Sequence, residues 1–452
     1  MSLEGSHRQP GPRLYNGRTM ADGDPTTQVV LVDGVRTPFR RAGTDYLDLI
    51  SYDLARTVLA ALPGRSGLDP RDISQVVMGS VVQNPATSNV SRDAALAAGY
   101  PQDVPAHTVT LACISANRAI ADAALGLRNG DGDFAVAGGV EVLSDVPPVF
   151  GKKMRARLFE ARKSKGVSQF LGHLRGLKLK ELLPAAPAIA EYTTGESMGY
   201  SADRLAARFD VSRLEQDSYA LRAHTLAAAA HEAGHLAAEV TPVSLPPDFT
   251  LLDKDNTFRT DTSLEALQKL KPSFVKPFGT VTAGNASPLT DGAAAVLLAR
   301  KEVARAHGLP LKATVRDWVF TAQDPGDELL LGPAFAVPKL LQRHGIRWAD
   351  LDVIEIHEAF AGQVLAVLKA LSSDSFGRER LGLSGRFAEP GLERINLWGG
   401  SISLGHPFGA TGARLLTTAA NRLAAEDGQL ALVTACAAGG QAVAMLLERV
   451  EA

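Results

Sequence analysis

The chain has only two cysteines, Cys113 and Cys436. That count excludes a disulfide framework and a cysteine-based zinc site. Lone cysteines usually fill cores, yet the residues around these two suit reactive sulfur. Cys113 falls where the short apolar run Val109–Ala112 gives way to an alanine-rich stretch of helical pattern, with Ala112, Ser115 and Ala116 beside it. A thiol at a helix N-terminus meets unsatisfied N–H groups and the positive end of the dipole, which favours thiolate. Small neighbours allow a sharp turn and leave the sulfur reachable, as an activated nucleophile requires. Cys436 follows the apolar run Leu430–Thr434 and precedes Ala437, Ala438, Gly439 and Gly440. A second thiol there can shuttle the proton of a carbon acid. The third reactive group is His406, inside Gly405-His406-Pro407-Phe408-Gly409-Ala410-Thr411-Gly412. Held in a strand-to-helix turn, it can take a thiol proton and return it. Its glycines lack the Lys-Ser/Thr ending of a phosphate loop and are read as permitting close backbone approach, to substrate or to another part of the chain.

These residues need strands and helices to position them, and the pattern supplies both. Gln28–Val35, Ile73–Gly79 and Phe134–Ala137 read as buried strands, with Asp53–Leu62 and Ser115–Leu127 as helices between them. The rhythm returns as strands Lys312–Val319, Val353–Ile356, Leu430–Thr434 and Ala442–Leu447 and helices Ala359–Leu371 and Ala413–Ala425. Alternating elements predict an α/β fold. The repeated order predicts a duplication, with the two cysteines in matching positions. The expected division is a tail over 1–27, a first half over 28–149 and 276–305, an inserted helical loop domain over 150–275, and a second half over 306–452.

Cys113–Ala116, His357-Glu358-Ala359-Phe360, Gly405–Gly412 and Cys436–Gly440, in that order and spacing, resemble the four signature blocks of the thiolase family. Thr280–Asp291 is similar to the family's CoA-loop block. The likeness runs from about Val29 to Arg449. It implies a five-layered αβαβα fold and a 3-ketoacyl-CoA thiolase of fatty-acid β-oxidation, most like the β subunits of fatty-acid oxidation complexes. By the same resemblance, Cys113 is the acylated nucleophile, His406 its activator, and Cys436 the acid/base at the α-carbon. The backbone N–H groups of Cys113 and Ala438 form the oxyanion hole. Ala283 and Ser287 contact pantetheine, Met198, Ala359 and Phe360 line its tunnel, and Arg259 meets a CoA phosphate. Many members carry asparagine where His357 stands, holding a water in an oxyanion hole. No cofactor or metal is implied, CoA and acyl-CoA being substrates. A homodimer or tetramer and a hydratase/dehydrogenase α subunit are the implied partners. The rival readings are a biosynthetic acetoacetyl-CoA thiolase, a condensing ketoacyl synthase, and a non-catalytic lipid-binding subunit of the same shape.

Composition bounds the rest. A formal net charge of −2 gives no global field for nucleic acid. Residues 151–180 hold ten Lys or Arg against the single acid Glu160, interleaved with Leu and Phe. This segment reads as a solvated helical face, a membrane-surface contact, or a guide for polyanionic esters or a partner subunit. His231-Glu232-Ala233-Gly234-His235 matches a zinc-protease pattern, but Gly234 is where a helix from near Leu214 should end, so a capped helix terminus is expected. The Gly-, Pro- and Arg-rich stretch up to about Thr27 reads as a disordered tail, a non-native leader or an upstream start, with an organellar transit peptide fitting less well. Alanine- and arginine-rich usage then predicts a bacterial cytoplasmic enzyme rather than a mitochondrial one.

Overall fold

Runs of β-branched residues and alanine with no polar alternation can be strands only if both faces are covered. In the computed structural model they are. It describes residues 27–450 except 179, 180, 182 and 185–189. The tail expected over 1–27 lies outside the described residues up to 26, as does Lys180 of the basic segment. Nine strands form one path: β1 (Val29–Arg36), β2 (Ile73–Gly79), β3 (Ala106–Val109), β4 (Phe134–Glu141), β5 (Thr290–Arg300), β6 (Ala313–Ala322), β7 (Val353–Ile356), β8 (Leu430–Ala437) and β9 (Gln441–Arg449).

The strand order β3-β2-β4-β5-β1 continues into β6-β9-β8-β7. In the first half β3, β2 and β4 are parallel, with β5 and β1 antiparallel to their neighbours. In the second, β7 and β8 are parallel, with β9 and β6 antiparallel, and Ile395 bridges Ile354 where a partner to β3 would stand. The halves share the pattern, as a duplication requires. They meet along a narrow seam in which Val30 faces Thr314 and Leu31 faces Ala313.

Helices complete five layers. α1 (Ser51–Ser66) and α2 (Val90–Ala97) cover one outer face, while α3 (Ser115–Asn129) lies inside. α4 (Lys152–Ala161), α5 (Val167–Leu174), α6 (Met198–Arg208) and α7 (Arg213–Glu232) all belong to the long connection from β4 to β5. α8 (Pro333–Arg343) and α9 (Ala361–Leu371) cover the other outer face, and α10 (Thr411–Ala425) joins α3 in the middle. Strand alternation sorts side chains between layers. Val29 and Leu31 face a central core with Ile120 and Leu127 of α3, Leu416 and Leu423 of α10, and Val443 and Met445 of β9. Val30 and Val32 face outward to Leu54, Val58 and Leu62 of α1. Ala444 and Leu446 face Val337 and Leu340 of α8 and Val364 of α9.

The cysteines do not occupy matching positions. α3 and α10 are both 15 residues and β4 and β8 both eight. Gly409, two residues before α10, therefore corresponds to Cys113 before α3, while Cys436, next to last in β8, corresponds to Val140. One sulfur comes from a helix start, the other from a strand end.

Glycine lets these ends converge. A Cβ on Gly139 would run into the Gly409 carbonyl and stand 2.8 Å from Gly79 O. One on Gly412 would stand 2.7 Å from the Asn117 backbone nitrogen. The loop glycines thus serve the approach of the two halves. Gly139→Ala should lose more than about 2 kcal/mol, because backbone cannot yield to the added methyl. Gly64→Ala, on the open face of α1 with nothing within 4 Å, should gain about 0.5 kcal/mol. Urea midpoints check both; equal shifts would contradict the packing account.

Candidate active site

Cys113 sits on an elbow. β3 ends at Val109, earlier than the sequence suggested, and α3 begins at Ser115. Between them Ala112 adopts φ 46°, a left-handed conformation that an alanine holds only when its surroundings fix it. Ser115 fixes it, its hydroxyl accepting from Leu111 N at 2.8 Å and donating to Ala112 O at 2.7 Å. Glu141 ties three segments around this elbow, its carboxylate accepting from the backbone of Val81, Val82 and Gly409 at 2.9–3.1 Å.

His406 packs against His357, ring centroids 4.0 Å apart and planes tilted by 41°. The Cys113 sulfur and one ring nitrogen of each histidine all lie within 4.8 Å of one another. The hydrogen-bond network assigns the tautomers. Thr411 Oγ donates to Pro407 O at 3.0 Å, so at 2.6 Å it accepts from His406 Nδ1. The lone pair of His406 is thereby left on Nε2. Ser401 Oγ accepts from Arg414 at 3.2 Å, and among the described residues the one acceptor in reach of its proton is His357 Nδ1 at 2.8 Å, so the hydroxyl donates there. His357 accordingly presents Nε2–H. Both Nε2 atoms are buried without a hydrogen-bond partner among the described residues. The two rings offer complementary groups, one basic and one acidic in hydrogen bonding.

Burial governs the protonation states. It holds His357 down at about 3, helped by the Arg414 charge, and His406 well below its ordinary value, helped by His357 and Arg414. Both rings are neutral at physiological pH. Burial also pushes the Cys113 thiol up to about 12, against the Ala438 N–H aimed at its sulfur, and the Glu141 carboxylate adds to the rise. The helix N-terminus expected to favour thiolate is thus opposed by desolvation, although Cys113 itself is only half-buried. Cys113 precedes the Ile114 cap and so stands outside the first turn of α3. Cys436 is raised by burial and then by Cys113, which places the sulfurs within each other's fields.

The remaining candidates divide between an apolar cluster and the surface. Cys436 and Phe360 share an apolar cluster with Met198, Ala286 and Ala359 packed against it. The loop holding Ala283 and Ser287 docks there through Ser287 N to Ala359 O at 3.0 Å and Ala361 N to Asn285 O at 2.9 Å. Ala283 is exposed and Ser287 half-buried. Arg259 is exposed, its backbone N–H donating to His224. Glu141, Ser401, Thr411 and Arg414 went unread in the sequence. No spacing marks them, since each acts through a backbone amide or another side chain.

Cys113, His357 and His406 are also the one group able to hold a metal among the described residues. A soft cation there would occupy the sulfur nucleophile and the free Nε2 together, so it would block the site. The zinc-protease pattern forms no such group. Helix α7 ends just before Gly234 at φ 80°. His231 then turns to Phe258, and His235 stacks on Trp398 at 4.2 Å.

Comparison with known proteins agrees with this geometry. The family model "Thiolase, N-terminal domain" matches residues 29–302 and "Thiolase, C-terminal domain" matches 309–449. "Trifunctional enzyme subunit beta, mitochondrial" of Mus musculus is 48% identical over 442 residues, 98% of this chain and 92% of that one. The Homo sapiens protein of the same name is 50% identical over 420 residues, 93% and 88%. A crystal structure of the Bacillus anthracis acetyl-CoA acetyltransferase superposes with a TM-score of 0.79 at 31% identity, covering 94% of this chain and 99% of that one. The expectation of a bacterial cytoplasmic enzyme is overturned by these mitochondrial relatives. Alanine and arginine content reflects overall composition and carries no address.

Two measurements test the protonation states. Iodoacetamide should label Cys113 before Cys436, with a rate that keeps climbing past pH 9; a plateau near the ordinary thiol value of about 8.5 would contradict the burial effect. Below about pH 6.5 an unfolded chain takes up protons that the folded chain refuses, at His357 until about pH 3 and at His406 until well below its ordinary value. Stability should therefore fall as pH drops through that window, and urea midpoints at pH 7.5 and 5 should lie closer together in His357→Asn than in the native protein.

Proposed function

The chain belongs to the thiolase family, and from that premise we infer that it is a 3-ketoacyl-CoA thiolase of fatty-acid β-oxidation. Its substrates are CoA esters. The observation that carries the reading is the convergence of the Cys113 sulfur with a bare imidazole nitrogen of His406 and with the field of a second thiol, Cys436.

In the proposed mechanism His406 Nε2 takes the Cys113 proton as the sulfur attacks C3 of the ketoacyl chain. A neutral pair gains charge only as the new bond forms, which suits general-base catalysis. The C2–C3 bond then breaks, leaving the acyl group on Cys113 and the electron pair on C2 of acetyl-CoA, to which the Cys436 thiol gives its proton. The Cys436 thiolate next takes the proton of incoming CoA, whose sulfur attacks the acyl-Cys113 thioester. Cys113 departs as thiolate and recovers its proton from His406. The Ala438 and Cys113 N–H groups stabilise the oxyanion of the acyl-enzyme steps, each worth about 3 kcal/mol. Nε2–H of His357 provides a donor where asparagine is common in the family. Met198, Ala359 and Phe360 would enclose pantetheine, with Ala283, Ser287 and Arg259 along its outer length.

Two features speak against the rivals. A condensing ketoacyl synthase works with a Cys-His-His or Cys-His-Asn set and has no use for the additional thiol of Cys436, and a silent lipid-binding subunit would have no reason to keep two buried, unpaired imidazole nitrogens. Homodimer or tetramer assembly, and association with a hydratase/dehydrogenase subunit, are part of the proposal. They are supported by the trifunctional relatives and by the α4–α5 hairpin. That hairpin leaves Phe159, Val167 and Leu171 66%, 75% and 58% exposed among its Lys and Arg, a surface suited to an acidic partner face or an anionic membrane.

A thiolysis assay over 3-ketoacyl-CoA chain lengths tests the function. The native protein should release acetyl-CoA, and Cys113→Ala should lose at least about 10³-fold in kcat. Cleavage undiminished in Cys113→Ala would sink the mechanism.

A further inference from the structure

The turn that carries the Ala438 donor is built from residues that cannot hold themselves still. Gly439 and Gly440 both take left-handed conformations, φ 83° and 64°, and consecutive glycines give a turn maximal freedom. Two outside contacts fix it. Gln323 N donates to Gly440 O at 2.8 Å from the end of β6, a tie within the second half. The other crosses to the insertion, where Glu191 Oε2 accepts from Gly439 N at 2.7 Å.

Glu191 is itself held. Ala190 and Ser197 pair as an antiparallel bridge. Inside that bridge Glu191 N donates to Glu196 O and Gly195 N to Glu191 O, both at 2.8 Å. The other carboxylate oxygen accepts from Thr193 Oγ at 2.9 Å. The residue is buried, yet against that desolvation its N–H and hydroxyl donors, Gly439 N–H first, hold its pKa below the usual glutamate value and favour the ionised form. The same hairpin leads through the Ser197 cap into α6, whose first residue is Met198. A rigid carboxylate thus reaches from the inserted segment to the amide next to Ala438, and the Ala438 N–H points at the Cys113 sulfur.

We propose that Glu191 is a positioning residue for the oxyanion hole, clamping the Ala438–Gly439 turn from the insertion so that the Ala438 N–H stays aimed at the acyl oxygen. The proposal rests on the thiolase reading. It adds that the second half cannot present a competent hole without the hairpin of the first. The clamp needs an acceptor at this reach rather than a charge, so glutamine should serve and alanine should not.

The test is steady-state thiolysis with Glu191→Ala, Glu191→Gln and Glu191→Asp in the full chain, alongside urea melts. Loss of the clamp should lower kcat by about 10- to 100-fold, as misplacing one oxyanion donor does. KM for the ketoacyl-CoA should stay within about threefold. Gln should restore most of kcat, and Asp, one methylene short, should resemble Ala. If the Ala variant does not fold, the Asp and Gln pair decides by the same criterion. A native-like kcat in Ala or Asp would overturn the proposal, as would a loss in Gln equal to that in Ala, or a rise in KM at unchanged kcat. An inactive native protein would instead overturn the thiolase reading.

Discussion

Everything at the site depends on desolvating four groups whose ordinary pKa values lie near neutrality. Two thiols and two imidazoles lie close together, Cys113 half-buried and the others buried, and desolvation favours the neutral form of each. A permanent thiolate–imidazolium pair would have to be stabilised in the resting state, and that stabilisation would raise the barrier to attack. With neutral partners, charge appears only during the reaction, where fixed N–H groups await it. The layered architecture exists to make this desolvation possible, since α3 and α10 lie between two sheets that are themselves covered by outer helices.

The neutrality of His357 has its own supporting chain. Glu355, Arg414 and Arg422 are fully buried together, with Glu355 bonded to Arg414 at 3.3 Å and Arg422 at 2.8 Å. Desolvation raises the carboxyl of Glu355 to about 7 even beside two guanidinium groups. Buried ion pairs of this kind contribute little net stability. What this one does is orient: Arg414 turns Ser401, and Ser401 sets which nitrogen of His357 carries the proton. On the other side, Glu358 accepts from Tyr219, Asn396 and the Ile402 amide, which fixes the segment leading to the same ring.

Much of this was legible in the residues themselves. Continuous apolar strands, the order of elements and the small-residue turns identified the α/β duplication and singled out Cys113 and His406, which the fold brings together. What failed did so for identifiable reasons. Sequence order alone placed the cysteines at equivalent points, because β8 ends and α3 begins in similar small residues. The dipole argument favoured a thiolate because burial is invisible in one dimension. Glu141, Ser401 and Glu191 carry no local signal, since each meets partners far away in the chain. Compartment was misread from composition, which answers to no physical constraint of the site.

The unequal placement of the two sulfurs has a consequence for how such a molecule could arise. Two identical halves related by a twofold axis would present like groups to the midline, a pair of helix-start nucleophiles or a pair of strand-end acids. Joining the copies in one polypeptide releases each from the symmetry of the other. One copy can then keep the thiol at its elbow while the other gives up that position to glycine, which is what lets the backbones touch. The empty place opposite the nucleophile is therefore as much a product of fusion as the nucleophile itself.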